Sequence, residues 1–392
     1  MSSENCLGEI SIEDFLDQYW QKKPLLIKNA FPNIKSPVSA NELAGLACEE
    51  HINSRLVIAE SNGTNQKWQV EFGPFKESRF SKLPDTNWTL LVSDIERHLP
   101  ETKSLLKNFR FIPDWRIDDL MISYAPTGGS VGAHTDAYDV FLLQLSGKRL
   151  WKISEEFNQE TLKDSDLSIL KEFTAEQEWL LDAGDMLYLP PNVAHHGIAQ
   201  LAQDANGNDE HCLTASIGFR APSLQTISND YIHFANENKN ENTRYSDASP
   251  AIPSHHAEIS DDTITHFISY LKQGLSIERE QVRLWLGQYS SDNKAFEDLD
   301  NDELNLDFDA LCIIALQSKL IQSPYSNFLF SQSPETTFLF VDGTSYSVSK
   351  IFAELICTDQ TINFEMIKEN LATEDKEVFL TLFNTGAIIT TQ

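Results

Sequence analysis

Hydrophobic and polar positions change their spacing twice along the chain, and these changes predict three regions of different structure. Near the N-terminus, apolar residues recur at helical spacing in three segments, and one short apolar run predicts a buried strand. The helices are expected at 11–20, 40–50 and 93–105, and the strand is expected at 25–27.

From Ile117 to Ile153 the pattern becomes the alternation that is typical of strands, with breaks at Pro126–Gly129 and Ser146–Lys148. Two further strands are predicted at 186–190 and 213–219. Several short strands separated by regular turns favour a β-sandwich or barrel, here within an α+β protein.

Helical spacing returns after Pro222, interrupted by a polar stretch that reads as a linker. Ile264, Phe267, Ile268 and Leu271 form one apolar stripe, which predicts either a core face or a dimer interface. The remaining elements are helices at 227–236, 263–275, 278–289, 308–316, 348–356 and 363–371, the linker at 237–262, and a hairpin with Asp342-Gly343 at its tip.

The order of the last elements is similar to that of a winged helix, and the predicted domains are 1–222, 223–294 and 295–392. From residue 295 onward there is no arginine, and four lysines face sixteen acidic residues. This composition argues against a DNA-reading role, because such proteins present a basic face.

The whole chain of 392 residues carries a formal net charge of −29, which suits a basic protein partner through electrostatic steering, or solubility alone. Its five cysteines are scattered and odd in number, which is typical of reduced intracellular thiols. We expect a cytoplasmic protein, since the first residues lack an apolar signal core and no apolar run reaches the length of a membrane span.

The candidate chemistry lies at His134-Thr135-Asp136 and His195. If residues 131–145 form one strand, His134 and Asp136 lie on the same face and can reach one ion. His195 follows a Gly-Asp turn and an apolar strand, an order that is typical of cupins. Two histidines and one carboxylate form the facial set of non-haem Fe(II) oxygenases.

His196 is the rival of His195, because adjacent strand residues face opposite ways and only one can point inward. The spacing from Pro190 selects His195. Asn192 then occupies a position where cupins place glycine, and asparagine tolerates left-handed backbone angles well.

Taken together, these segments resemble the bacterial JmjC-type ribosomal oxygenases, the YcfD or RoxA group of ribosomal protein arginine hydroxylases. The resemblance covers most of the first two thirds of the chain. It rests on Tyr19–Ile27, Trp115–Ser123, Gly132–Phe141, Leu187–Pro191, Ser216–Pro222 and Arg244–Asp247.

This resemblance implies a double-stranded β-helix, or jelly-roll, of the JmjC and cupin type, a helical dimerisation region, and a C-terminal winged-helix-like domain that does not bind DNA. It implies Fe(II) held by His134, Asp136 and His195, with 2-oxoglutarate as cosubstrate. Arg149 would grip the distal carboxylate of 2-oxoglutarate. Ser123 and Thr214 would line the cosubstrate pocket, although asparagine is more usual at the Thr214 position.

The implied reaction is hydroxylation of an arginine side chain, at the β-carbon, in the large-subunit ribosomal protein L-sixteen. A guanidinium prefers carboxylate and aromatic contacts, so Tyr138 and Asp139 are the candidate substrate contacts. Three alternatives stay open: a cupin-like metalloenzyme that is not an oxygenase, a non-catalytic binding protein, and a JmjC lysine demethylase.

Overall fold

The computed structural model describes two compact units, Met1–Ala221 and Pro222–Gln392. The described residues are 6–62, 65–162, 167–203, 207, 209–237, 244–246, 255, 257, 259–275, 277–292, 304–358 and 360–391. Within these residues, no helix is both long enough and apolar enough to cross a membrane.

In its described residues, the first unit contains eleven strands in two sheets. The strands are β1 (Leu25–Ile27), β2 (Ser54–Asn62), β3 (Asn65–Phe72), β4 (Trp88–Val92), β5 (Ile117–Ala125), β6 (Asp139–Ser146), β7 (Lys148–Ser154), β8 (Gln177–Leu181), β9 (Met186–Leu189), β10 (Ala194–Gln200) and β11 (Cys212–Phe219). Five short helices accompany them: α1 (Ile12–Gln18), α2 (Ala40–Leu46), α3 (Glu77–Phe80), α4 (Ile95–His98) and α5 (Lys103–Leu106).

The larger sheet has the strand order β1-β9-β6-β11-β5-β4-β2-β3, and the smaller sheet has the order β10-β7-β8. All pairings within both sheets are antiparallel. This is the jelly-roll arrangement of the JmjC and cupin fold, which confirms the predicted fold class of this region.

Two hydrophobic layers fix the position of the barrel. One face of the large sheet packs against the helices, where the ring of Phe141 lies 5.6 Å from that of Phe15 and 4.9 Å from that of Phe109. The opposite face of the same strand contributes Val140 and Leu142 to a core shared with Trp151 and other side chains of the smaller sheet. Because β6 is buried on both faces, its sequence is a nearly continuous apolar run.

Two predicted elements are wrong in extent. The run 131–145 is not one strand, because Gly132 has a left-handed backbone (φ +83°) and His134 pairs with His195, whereas β6 begins only at Asp139. The helix predicted at 93–105 is divided into α4, a 3-10 turn and α5. Pro100 lacks an N–H group and forces the preceding residue out of the helical region.

The second unit contains seven helices and six strands in its described residues. The helices are α6 (Leu224–Glu237), α7 (Asp261–Gly274), α8 (Arg279–Ser291), α9 (Phe308–Gln317), α10 (Lys350–Thr358), α11 (Phe364–Asn370) and α12 (Thr373–Asn384). The strands are β12 (Lys319–Gln322), β13 (Phe328–Gln332), β14 (Thr337–Val341), β15 (Thr344–Val348), β16 (Thr361–Ile362) and β17 (Ile388–Thr391).

Helix α8 packs on the sheet β13-β14-β15 and joins the helical segment to the last part of the chain. A Cβ atom placed on Gly287 would lie 2.3 Å from the ring of Phe340, and Arg283 Nη1 donates to Ser331 Oγ at 2.6 Å. The predicted hairpin is present between β14 and β15, with positive φ at both Asp342 and Gly343. The winged-helix assignment and the separate boundary at residue 295 stay predictions. Most of the predicted linker lies outside the described residues.

Candidate metal and cosubstrate site

Three predicted ligands converge at one end of the barrel. The ligand atoms of His134, Asp136 and His195 all lie within 4.8 Å of one another. The nearest Asp136 oxygen is 3.5 Å from His195 Nε2 and 4.0 Å from His134 Nε2. His196 alternates to the other face of β10 and does not belong to this group.

Backbone pairing holds the ligands in place. His134 and His195 exchange both of their backbone hydrogen bonds, at 3.0 and 2.9 Å, so that their side chains lie next to each other. The turn before His195 is held against the segment that carries His134 and Asp136, because Asn192 N donates to the Asp136 carbonyl at 2.8 Å. Asn192 has φ +63°, which confirms the left-handed conformation predicted from its place in the turn.

The protonation of both imidazoles suits a metal ion. His134 Nδ1 lies 3.0 Å from the carbonyl of Gly132, and His195 Nδ1 lies 3.0 Å from that of Val193. A carbonyl can only accept, so each Nδ1 carries the proton and each Nε2 offers its lone pair. Burial and the neighbouring His134 lower the pKa of His195 to about 4, which keeps it neutral at physiological pH.

These observations meet the requirements of a divalent transition metal such as Fe(II). Two imidazoles and one carboxylate, all presented from one side, leave coordination positions open for other ligands. His134, Asp136 and His195 are thus the residues that would hold the ion.

Arg149 lies deeper in the barrel, on β7, and is 3% exposed. Its Nε donates to the Cys212 sulfur at 3.2 Å. Its Nη2 is buried without an acceptor among the described residues. A buried cationic donor that lacks an acceptor is costly, and an anionic ligand in the barrel would satisfy it.

Ser123 and Thr214 face each other across the β5–β11 pair, and both are buried. The Thr214 hydroxyl donates to Gln144 Oε1 at 3.0 Å, and Gln144 Nε2 donates to Cys212 Sγ at 3.2 Å. The same sulfur accepts from Arg149. The two residues therefore belong to the wall that surrounds Arg149, and Thr214 is linked to it through Gln144 and Cys212.

Tyr138 lies at the rim of the site and is 39% exposed. Across Gly218 it meets Asp119: a Cβ atom on Gly218 would lie 3.1 Å from Asp119 Oδ1 and 3.8 Å from Tyr138 Cε2. Burial, followed by the nearby Asp94, Glu96 and Asp118 carboxylates, raises the pKa of Asp119 to about 7.

The structure corrects the assignment of Asp139 to substrate contact. Its side chain points to the helical layer and is fully buried. The Tyr188 hydroxyl and Gln21 Nε2 donate to its carboxylate at 2.6 and 2.9 Å, and Arg116 Nη2 lies at 3.4 Å. Every oxygen is engaged and none reaches the rim, so Asp139 ties α1 and its flanking segments to the sheet.

Three residues of the site were missed by the sequence reasoning: Asp119, Trp151 and Cys212. A usable signal existed for Asp119 and Trp151. Period-two alternation from Ser123 places Asp119 on the inner face of β5, and alternation from Arg149 places Trp151 on the inner face of β7. Nothing local in the sequence marks Cys212, whose role depends on contacts across the barrel.

The barrel and its His-x-Asp and distant His ligand set define the class of cupin-type metal-dependent oxygenases to which JmjC proteins belong. Residues 104–227 match the JmjC domain family. The chain is 34% identical, over 72% of its length and 71% of the relative, to the ribosomal protein uL16 3-hydroxylase of Escherichia coli strain K12. It is also 40% identical to a probable ribosomal oxygenase of Haemophilus influenzae, over 58% of this chain and 54% of that one.

A solved structure of YcfD, a ribosomal oxygenase from Escherichia coli in complex with cobalt and 2-oxoglutarate, shares the fold. The TM-score is 0.81 with 27% identity, covering 98% of this chain and 99% of that one. The chain belongs to the JmjC ribosomal oxygenase family.

Proposed function

We propose that this protein is an Fe(II)- and 2-oxoglutarate-dependent hydroxylase that modifies an arginine β-carbon of the ribosomal protein uL16. The observation that carries the proposal is the pairing, within one barrel, of a complete facial ligand set with a buried arginine that lacks an acceptor. The names of the relatives support the substrate. Such a protein would act in the cytoplasm, where bacterial ribosomes are assembled.

Different residues of the barrel would bind the metal ion and the distal carboxylate of the cosubstrate. His134, Asp136 and His195 would hold Fe(II), and Arg149 would pair with the distal carboxylate of 2-oxoglutarate, with Ser123 and Thr214 in the pocket wall. Bound iron and 2-oxoglutarate supply the oxidation, in which dioxygen is consumed, succinate and carbon dioxide are released, and a C–H bond is hydroxylated. The protein contributes position, since the low exposure of the inner face keeps water from the bound cosubstrate.

At the rim, Tyr138 and Asp119 would receive the substrate guanidinium. The phenol ring offers a flat surface for stacking, and the carboxylate offers a charged acceptor. The pair Tyr138 and Asp119 replaces the predicted pair Tyr138 and Asp139. Recognition of the guanidinium by an aromatic ring and a carboxylate is unchanged. The net charge of −29 supports attraction of a basic ribosomal protein and disfavours direct reading of nucleic acid.

The decisive experiment combines the purified protein, Fe(II), 2-oxoglutarate and uL16, with mass spectrometry of the product. The expected result is the gain of one oxygen atom on a single arginine, together with one succinate for each hydroxylation. Released formaldehyde would instead identify a lysine demethylase. Absence of 2-oxoglutarate turnover would leave a cupin-type metalloprotein that is not an oxygenase.

The homodimer is also a proposal, supported by the apolar stripe of α7. Ile264, Phe267, Ile268 and Leu271 are each between 43% and 56% exposed, which is unusual for a set of large apolar side chains on one helix face. A two-fold pairing of this face would bury it. Light scattering should give a dimer for the wild type and a monomer for a variant with Phe267→Glu and Leu271→Glu. A wild-type monomer at micromolar concentration would refute the pairing.

A further inference from the structure

Two buried donors on one face of β7 lack acceptors. Among the described residues, the buried side-chain atoms Arg149 Nη2 and Trp151 Nε1 have no hydrogen-bond partner. Because side chains two apart on a strand share a face, both groups belong to the inner surface of the barrel. An unsatisfied buried donor is rare in folded proteins, and two on one face call for a common explanation.

The position of Trp151 places it between the metal ligands and Arg149. Its ring centroid lies 5.8 Å from that of His195 and 5.7 Å from the Arg149 guanidinium carbon. A molecule that reaches from the metal site to Arg149 must pass this indole. Trp151 is only 5% exposed, so water does not satisfy its N–H group from the outside.

The surroundings hold the indole in one orientation. Its six-membered ring lies over Gly197, where an added Cβ atom would be 2.7 Å from Cη2 and Cζ3. The edge against Gly197 is the one away from Nε1, so the N–H group faces away from β10. Arg149 is equally fixed, because Cys212 accepts from its Nε and leaves Nη2 as the donor presented to the barrel.

We propose that Trp151 is a cosubstrate-binding residue whose indole N–H, together with Arg149 Nη2, donates to the distal carboxylate of 2-oxoglutarate. This inference rests on the proposed function. A carboxylate has two oxygens with four acceptor positions, so it satisfies both donors at once. Cys212 acts as a positioning residue in this arrangement, since it sets the rotation of the guanidinium.

The test measures binding of 2-oxoglutarate by calorimetry to protein loaded with Zn(II), a redox-inert substitute for iron. Trp151→Phe removes the N–H and keeps an aromatic ring, so we expect binding to weaken roughly 10-fold to 100-fold, the usual loss of a hydrogen bond to a charged group. Trp179→Phe is the matched control, because Trp179 is the cross-strand neighbour of Trp151 on β8 and lies beyond it from the site. It should bind 2-oxoglutarate as the wild type does.

A second probe separates the carboxylate from the rest of the ligand. 2-Oxobutanoate has the 2-oxo acid group but no distal carboxylate, so Trp151→Phe should leave its weaker binding unchanged. Equal 2-oxoglutarate affinity of wild type and Trp151→Phe would overturn the inference while the proposed function stands. Failure of the wild type to bind 2-oxoglutarate at all would overturn the proposed function first.

Nuclear magnetic resonance of the wild type covers the case in which Trp151→Phe does not fold. The seven tryptophans give seven indole N–H signals. The Trp151 signal should move downfield when 2-oxoglutarate is added to the Zn(II) protein, and it should not do so with 2-oxobutanoate. Phe substitutions at the other six tryptophans assign it by exclusion. A Trp151 signal that responds equally to both acids would contradict a bond to the distal carboxylate.

Discussion

Asp375 in the C-terminal unit and Arg149 in the barrel are both buried charged residues, and they differ in how their polar atoms are satisfied. The Asp375 carboxylate accepts from Ser349 N, Ser349 Oγ and Ala372 N at 2.8, 2.7 and 3.1 Å. Arg149 has only the Cys212 sulfur for Nε and no acceptor for Nη2. A buried charged group whose polar atoms all have protein partners is typical of a structural role. A buried charged group with an atom that lacks a partner indicates a ligand-binding role.

The same difference holds across the two units. In the described residues, Arg149 Nη2 and Trp151 Nε1, both buried without a hydrogen-bond partner, lie in the first unit. In the second unit, the buried Asp375 caps α12 and the half-buried Ser349 caps α10. The chemistry of the molecule is thus expected in the barrel, and the second unit is expected to contribute stability and assembly.

The largest effect is expected when the candidate metal ligands are substituted, because the proposed reaction in the barrel depends on the metal ion. His195→Ala and His134→Ala should each abolish Fe(II) binding and 2-oxoglutarate turnover, because two ligands no longer form a facial set. His196→Ala is the matched control, since that side chain faces away from the ligands on the same strand. Metal content measures Fe(II) binding, and succinate formation measures 2-oxoglutarate turnover, in all three variants. An inactive His196→Ala beside an active His195→Ala would reverse the ligand assignment.

The next largest effect is expected at Arg149. Arg149→Met leaves the distal carboxylate of 2-oxoglutarate without its cationic partner, which should weaken binding by roughly 2–5 kcal/mol, as for truncated ion pairs at interfaces. The ligand-free protein should unfold at no lower temperature than the wild type, because the substitution also removes an unsatisfied buried donor. Calorimetry and thermal melts measure the two quantities.

Lys148→Met is the control for Arg149→Met. Lys148 is the preceding residue on β7 and pairs with the exposed Asp182 at 2.9 Å. Its substitution should leave 2-oxoglutarate binding unchanged. A large loss of stability in Arg149→Met would mean that Arg149 is structural in the way that Asp375 is, and the comparison would fail.

Local pattern was sufficient for much of the barrel and for the three residues that converge at the candidate metal site. The strand β1 and the hairpin at Asp342-Gly343 are where the pattern predicts them, and β5, β7, β9 and β11 overlap their predicted runs. His195 could be chosen over His196 because the spacing from Pro190 is a local feature of the sequence. These features depend on residues close in sequence, which is why one sequence is enough to find them.

What could not be predicted depends on contacts across the fold. The strand β3 is mostly polar, and β10 contains His-His-Gly, so their propensities are weak and pairing with neighbours decides their structure. Asp139 lies only three residues after Asp136 in the sequence, which placed it near the predicted metal ligands. Its strand turns it toward Tyr188, 49 residues away, and only the tertiary structure shows that contact.

A smaller effect, on stability alone, is expected at the closed cluster of the C-terminal unit. Asp375→Ala leaves three partly buried donors without their acceptor, so the free energy of unfolding should fall by roughly 1–3 kcal/mol. Denaturant unfolding followed by circular dichroism measures it, with the exposed Glu374→Ala as control. Binding of 2-oxoglutarate should not change. A loss of 2-oxoglutarate affinity in Asp375→Ala would show that the second unit takes part in the site.

The smallest effect is expected at Asp119, at the rim of the site. The polar atoms of Asp119 have fewer partners than those of Asp375, and Asp119 is less buried than Arg149. Its pKa is raised to about 7, so the carboxyl group is mostly protonated at pH 6 and mostly ionised at pH 8. A guanidinium binds the ionised form, so affinity for an arginine-bearing uL16 peptide should rise about tenfold from pH 6 to pH 8, following the ionised fraction. Asp119→Asn should bind weakly at both pH values.

Stability should change in the opposite direction at Asp119. A carboxyl group with a raised folded-state pKa costs no stability while it is protonated, and the cost grows as the pH rises from about 4, its unfolded-state pKa, to about 7. Asp119→Asn should therefore be more stable than the wild type at pH 8 and equal to it at acidic pH.

Binding of the uL16 peptide to the wild type should also weaken with salt, because attraction between exposed charges is screened beyond about 10 Å at 0.1 M. A peptide with lysine in place of arginine should bind poorly, since an ammonium lacks the planar donor fork. Equal binding of both peptides at pH 6 and pH 8 would remove Asp119 from substrate recognition.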